Sequence, residues 1–233
     1  MSVFKFKHFQ IQQDHAALKV GTDSMLLGSL CRWDNPKRLL DIGTGTGVLA
    51  LMCAQRFALH EIIGLEISEP AVVDAQINAG NNPFSTKISI LNQAVQEYQS
   101  TEGFDAIISN PPFFENSSKN PDDHKSLARH TESLSFTELM QAISRLLTPN
   151  GKAWIIVPFE STENLIELAW KNGLFASDLV EISGKPGKLS RAVLAFEKQP
   201  ITTKLYSLCI RTETGSYTEA YKVLTKEFHD REL

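Results

Sequence analysis

The chain has 233 residues, of which 42% are hydrophobic and 21% charged, and its net charge is −4. A chain of this size and balance can bury a core without disulfides. Any nucleic acid would have to be met by a local basic patch, because the overall charge repels it. The opening residues lack the long apolar core of a signal peptide, and no apolar run approaches membrane-spanning length. Cys31, Cys53 and Cys209 are scattered without a paired spacing, which fits small buried hydrophobes in a reducing compartment. The expectation is a cytosolic protein of one domain, with a cap segment at 1–35, a core at 36–198 and a C-terminal strand and helix at 199–233.

Along the chain, Phe4, Phe6 and Phe9 alternate as in a strand that packs one face. Residues 39–42 form a short apolar strand that runs into a glycine turn. A helix follows over 48–56, then a strand at 61–66. Ser68 is placed to cap a helix that runs to about 79, and Asn81-Asn82-Pro83 breaks it. Further strands fall at 88–91 and 104–109, and 114–134 is polar and aperiodic, as a loop would be. Ser135 and Glu138 form a capping box, and Phe136, Leu139, Met140, Ile143 and Leu147 mark one helical face after it. A turn at 149–151 leads to a strand at 153–157, and a helix over 162–171 ends on Asn172-Gly173. Strands at 174–183 and 191–197 are joined by 184–188. The tail adds a strand near 205–210, a second capping box at Ser216 and Glu219, and a last helix. Alternating strands and helices imply a mostly parallel sheet covered on both faces.

Two motifs stand at the carboxyl ends of strands, where such sheets bind ligands. The first is Asp41-Ile42-Gly43-Thr44-Gly45-Thr46-Gly47. Its glycines let backbone approach a ligand, and the next helix offers free N–H groups. A dinucleotide fingerprint would need glycine at position 48, which is Val48. The D-x-G-x-G-x-G spacing suits S-adenosyl-L-methionine instead, with Asp41 toward the methionine end and Glu66 toward the ribose hydroxyls. A plain glycine turn is the competing reading, and it leaves the leading Asp and the placed Glu unexplained. The second motif is Asn110-Pro111-Pro112-Phe113. Asn110 Oδ1 and the Pro111 carbonyl are two acceptors that can grip the hydrogens of a planar exocyclic amine. Phe113 offers a stacking face. The same tetrapeptide could be a proline turn that ends a strand. Together the two motifs point to methyl transfer onto a planar nitrogen.

These residues carry a resemblance. The chain resembles class I S-adenosyl-L-methionine-dependent methyltransferases of the Asn-Pro-Pro-aromatic group, and more closely the bacterial tRNA(Val) adenine-37 N6-methyltransferase family. The likeness covers Phe9-Gln10, Lys19 through Gly28, the glycine motif, Glu66, the Asn-Pro-Pro-Phe motif, Ala128-Arg129-His130, Gly215 through Thr218 and Leu224 through Phe228. It implies a Rossmann-like α/β fold with a mostly parallel seven-stranded sheet, helices on both faces, and short N-terminal and C-terminal additions. It also implies methylation of the adenine N6 in tRNA, with S-adenosyl-L-homocysteine as product. By similarity, Lys19, Thr22 and Asp23 would cover the cofactor, and Asn92, Gln93 or Ala94 would meet its adenine. The family commonly has Tyr where this chain has Phe113, and Met where it has Leu18; phenylalanine keeps the stacking surface and lacks the hydroxyl. Arg129, Lys185 and Lys188, with Arg191 and the basic residues near the N-terminus, are candidates for RNA contact, or for an ordinary solvated face. The six histidines show no metal-ligand spacing, so no metal is expected. The oligomeric state is left open, with a monomer slightly favoured. Competing readings are an rRNA guanine-N2 methyltransferase, a protein-glutamine N5-methyltransferase and a non-enzymatic cofactor-binding RNA chaperone.

Overall fold

A computed structural model describes residues 2–16, 19–112 and 134–231. Apolar runs make the central strands: β3 (Arg38–Ile42), β4 (Glu61–Glu66), β5 (Ile88–Asn92), β6 (Phe104–Ser109) and β7 (Leu147–Pro158). With β8 (Phe175–Lys185), β9 (Lys188–Glu197) and β10 (Lys204–Cys209) they form one sheet of order β10-β8-β9-β7-β6-β3-β4-β5. The sheet therefore has eight strands where seven were expected. The tail strand β10 supplies the extra one by pairing parallel to β8 at the edge. β9 is antiparallel to both β7 and β8, and the other pairings are parallel.

Side chains alternate across this sheet with a period of two, as strand geometry requires. Leu39, Ala106, Ile108, Trp154 and Ile156 enter the core on one face, whereas Leu40, Ile107, Ala153, Ile155 and Val157 enter the other. The first face is covered by α1 (Thr22–Leu30) and α2 (Val48–Arg56). The second is covered by α4 (Phe136–Leu146) and α5 (Thr162–Lys171), after α3 (Glu69–Gly80) has packed on the outer strands. The expected box at α4 is present: Glu138 N–H donates to Ser135 Oγ at 3.2 Å and Ser135 N–H to Glu138 at 2.9 Å.

The N-terminus forms a two-stranded antiparallel hairpin of β1 (Val3–Lys5) and β2 (Gln10–Gln12). Phe6 stacks on Phe9 with ring centres 4.4 Å apart, and its edge meets Phe228 after α6 (Glu219–Thr225).

Three local expectations need correction. Residues 149–151 do not reverse the chain. Phe104 pairs with Leu147 and Ala106 with Lys152, so the intervening residues of β7 loop out as a bulge. Thr218, not Ser216, caps α6 by accepting from Tyr221 N–H, because the helix begins at Glu219 and Thr218 is the residue just before it. Ser68 precedes α3, yet its side chain makes no cap bond; its backbone N–H donates to Glu66 Oε1 at 2.9 Å. Among the described residues, no helix is long and apolar enough to cross a membrane.

Candidate active site

The chain passes outward through β3, β4 and β5, then returns to place β6 on the other side of β3. That reversal puts the switch point of the sheet at the carboxyl ends of β3 and β6, the usual ligand position in such sheets. Both motifs sit there. Ile42 lies opposite Leu65 on one side and Ser109 on the other, and Glu66 lies opposite Asn92. The next residues along, Asn110, Gly43, Glu66 and Asn92, therefore form one row across four adjacent strands. At about 4.8 Å per strand the row is about 14 Å long. Ser109 Oγ donates to the Ile42 carbonyl at 2.8 Å and locks the two central strand ends together.

The glycine loop is built for close approach. Gly43, Gly45 and Gly47 have φ of +69°, +56° and +79°, a region that disfavours residues with a Cβ. A Cβ on Gly43 or Gly45 would meet nothing within 4 Å, so the loop borders open space. The N–H groups of Gly43 and Thr44 both donate to the Leu65 carbonyl, and Gly45 N–H donates to Glu66 Oε2 at 2.9 Å. Glu66 thus receives Ser68 N–H on one oxygen and Gly45 N–H on the other, which fixes its carboxylate at the end of β4.

Asp41 is fully buried beneath this loop. Its Oδ2 accepts from Thr44 Oγ1 at 2.6 Å and from Ala50 N–H at 3.2 Å. Its Oδ1 has no partner among the described residues. Burial pushes the carboxyl up to about 7; the two hydrogen bonds oppose this only in part, and the Glu66 charge adds to it. A buried acid with a spare oxygen, below a loop with no Cβ above it, fits a cationic amino-acid end of a ligand.

The other expected residues are distributed as follows. Asn110 is half-buried, Pro111 buried and Pro112 half-buried. Phe113 and Arg129 lie outside the described residues. Asn92 Nδ2 donates to the carbonyls of Glu66 and Ile67, which ties its amide to the end of β4, and Gln93 N–H donates to the Glu66 carbonyl; Ala94 follows at the same turn. Lys19 and Thr22 are exposed at the start of α1. Asp23 is engaged by Arg191, with Nε 2.9 Å from Oδ2, so α1 is pinned to β9 at the carboxyl end of the sheet. Lys185 and Lys188 face each other at the tip of the β8–β9 hairpin. β7 ends where Pro158 meets Arg191, so the hairpin projects about 10 Å further on the side of Asn110. Among the described residues, no three His, Cys, Asp or Glu side chains gather as a metal site.

Sequence reasoning named Arg191 only as an RNA-contact candidate and missed its pairing with Asp23; it also missed the roles of Thr44, Asp74 and Asn78. The last two are polar residues four apart on the buried side of α3, beside Ala71 and Ala75. The available signal was their spacing in line with Ala71 and Ala75, because a polar pair on an apolar helix face must have partners, although the spacing does not say which.

Comparison with known proteins decides the family. A family model described as "Methyltransferase small domain" matches residues 15–167. A Pedobacter heparinus protein named tRNA1(Val) (adenine(37)-N6)-methyltransferase is 38% identical over 230 residues, covering 97% of each chain. A Tolumonas auensis protein of the same name is 40% identical over 230 residues, covering 98% of this chain and 97% of its own. The chain belongs to this methyltransferase family. Solved structures agree on the fold. A predicted O-methyltransferase from Agrobacterium tumefaciens has a TM-score of 0.69 at 19% identity, covering 88% of this chain and 96% of its own. A putative RNA methyltransferase from Pyrococcus horikoshii has a TM-score of 0.54 at 20% identity, covering 75% and 79%.

Proposed function

We propose that this methyltransferase uses S-adenosyl-L-methionine to methylate the N6 amino group of adenine 37 in tRNA(Val), in the cytoplasm, releasing S-adenosyl-L-homocysteine. The observation that carries this reading is the single row of Gly43, Glu66 and Asn92 with Asn110 at its end. The names of the full-length relatives support the choice of substrate.

The cofactor supplies a methyl group already activated by its sulfonium. The glycine loop receives its backbone-like end over Asp41, and Glu66 takes the ribose hydroxyls. Asn110 Oδ1 and the Pro111 carbonyl accept the two hydrogens of the adenine amine. Both acceptors draw the nitrogen out of plane and localise its lone pair. Since the nitrogen is neutral, no base is needed before transfer; the methylated nitrogen then carries the positive charge and sheds one proton to solvent, and positioning carries the catalysis, for which about 7–11 kcal/mol is available in principle. Extruding the base costs a few kcal/mol. Lys185 and Lys188, at the tip of the projecting hairpin, track the RNA backbone and help to offset that cost.

The test is methylation of unmodified tRNA(Val) transcript with labelled cofactor, followed by nucleoside analysis. N6-methyladenosine at position 37 is the expected product. N2-methylguanosine, or label only in ribosomal RNA, would contradict the assignment.

A further inference from the structure

The side chains of Asp74 and Asn78 lie four residues apart on α3, both buried, and both reach the N-terminal segment. His15 N–H and Ala16 N–H each donate to Asp74 Oδ2 at 2.8 Å, and the His15 ring Nδ1 lies 2.8 Å from Oδ1. Asn78 pairs with Gln12 in both directions, its Oδ1 accepting from Gln12 N–H and its Nδ2 donating to the Gln12 carbonyl, each at 2.8 Å. The same Nδ2 donates to the Thr46 carbonyl at 2.9 Å, inside the glycine loop. Gln13 Oε1 then accepts from Val20 N–H at 2.8 Å, immediately before α1.

One helix face thus ties the N-terminal strap to the glycine loop, and Gln13 of the strap in turn holds the backbone that leads into Thr22 and Asp23. Asn78 spends its side chain on backbone groups far away in sequence, and Asp74 adds the His15 ring to its two backbone donors. An Asn that joins two separate backbone segments sets their relative position, which packing alone would leave loose. Burial raises the Asp74 carboxyl, but the His15 ring and two backbone N–H groups outweigh it and hold the group below the usual carboxylate range. It serves as an ionised acceptor with every contact accounted for.

We propose that Asp74 and Asn78 are positioning residues for the cofactor: they clasp the strap to the glycine loop, so that Lys19, Thr22 and the loop N–H groups share one fixed frame. The proposal rests on the reading that the glycine loop receives the cofactor. Neither residue touches the reacting atoms, so the clasp acts on binding and leaves transfer alone.

The test is calorimetric titration of S-adenosyl-L-homocysteine into the full-length protein and its variants, with steady-state kinetics and melting curves. Asp74→Ala and Asn78→Ala should each weaken uptake tenfold or more and raise KM for S-adenosyl-L-methionine alike. Their kcat at saturating cofactor should stay within twofold. Asp74→Asn should recover most of the affinity, because its amide oxygen can take both backbone N–H groups while its NH2 faces the accepting tautomer of His15. Asn78→Asp should be as weak as Asn78→Ala, because a carboxylate cannot donate to the Gln12 and Thr46 carbonyls. If Asp74→Ala fails to fold, Gln13→Ala loosens the strap from its own side and carries the same expectation. Uptake within threefold of wild type in the Ala variants, or a loss confined to kcat, overturns the clasp. Failure of the wild-type protein itself to take up the product would instead overturn the cofactor reading on which the clasp rests.

Discussion

Asp41 gives the sharpest quantitative test of the glycine-loop site. Its carboxyl is buried and titrates at about 7 in the folded chain, against about 3.9 when unfolded. The folded state therefore holds the proton more tightly than the unfolded one. The contribution of Asp41 to stability is greatest below about pH 4, falls as the pH rises through 7, and levels off about one unit above that. At about 1.36 kcal/mol per pH unit, tapering as the folded group ionises, the fall between pH 5 and pH 8 is roughly 2.5 kcal/mol. The Asp41→Asn protein keeps an acceptor for Thr44 and Ala50 and cannot ionise. Its melting temperature should rise relative to wild type by roughly 5–10 °C on going from pH 5 to pH 8, at 2–4 °C per kcal/mol for a chain of this size. A cationic ligand reverses the penalty by favouring the ionised carboxylate. At pH 7, cofactor uptake should release up to about half a proton, read by calorimetry in buffers of different ionisation enthalpy. The Asp41→Asn protein should release none from this site. Parallel pH profiles for the two proteins, together with identical proton release, would refute the placement of Asp41 beneath the cofactor.

Other perturbations probe the remaining parts. Gly45→Ala forces a side chain into the left-handed region, at φ +56°, which costs about 1–2 kcal/mol. Scanning calorimetry should show a stable but lower-melting protein, and titration should show lost cofactor uptake; intact uptake would mean the loop is no cradle. Glu66→Gln removes the charge that Gly45 N–H and Ser68 N–H address. Charge-assisted bonds of about 1.5–3 kcal/mol imply a loss of at least about tenfold in cofactor affinity, and a change under threefold would exclude a ribose contact. Charge reversal of Lys185 and Lys188 together should raise KM for tRNA and lower the salt slope by roughly 1 to 2. Cofactor uptake should stay unchanged, and an unaltered salt slope would remove the hairpin from the RNA path.

The strands were legible because their environment is simple. Runs such as Leu39-Leu40 and Ile107-Ile108 are buried on both faces and need no partner to be recognised. The motif turns were legible because positive φ demands glycine. α1 was not, for a physical reason: residues 24–29 are all buried, so the helix has no polar face to reveal a period. Gly28, ordinarily a mark against a helix, lies where a Cβ would press on the Met52 side chain, 3.2 Å from its Cβ. Asp74 and Asn78 were hidden because their partners lie 58 to 66 residues away or in the glycine loop, and no local spacing encodes such bonds. The Asp23–Arg191 pair spans 168 residues and was invisible on the same grounds.

The claim on which the account turns is that Asn110 holds the target amine while the neighbouring strand end holds the cofactor. The direct measurement is single-turnover methylation of tRNA(Val) transcript by Asn110→Ala protein, alongside titration of S-adenosyl-L-homocysteine into the same sample. Product uptake close to wild type with transfer reduced at least a thousandfold is the predicted result. Transfer at near wild-type rate by a protein that still folds and binds the product would contradict it.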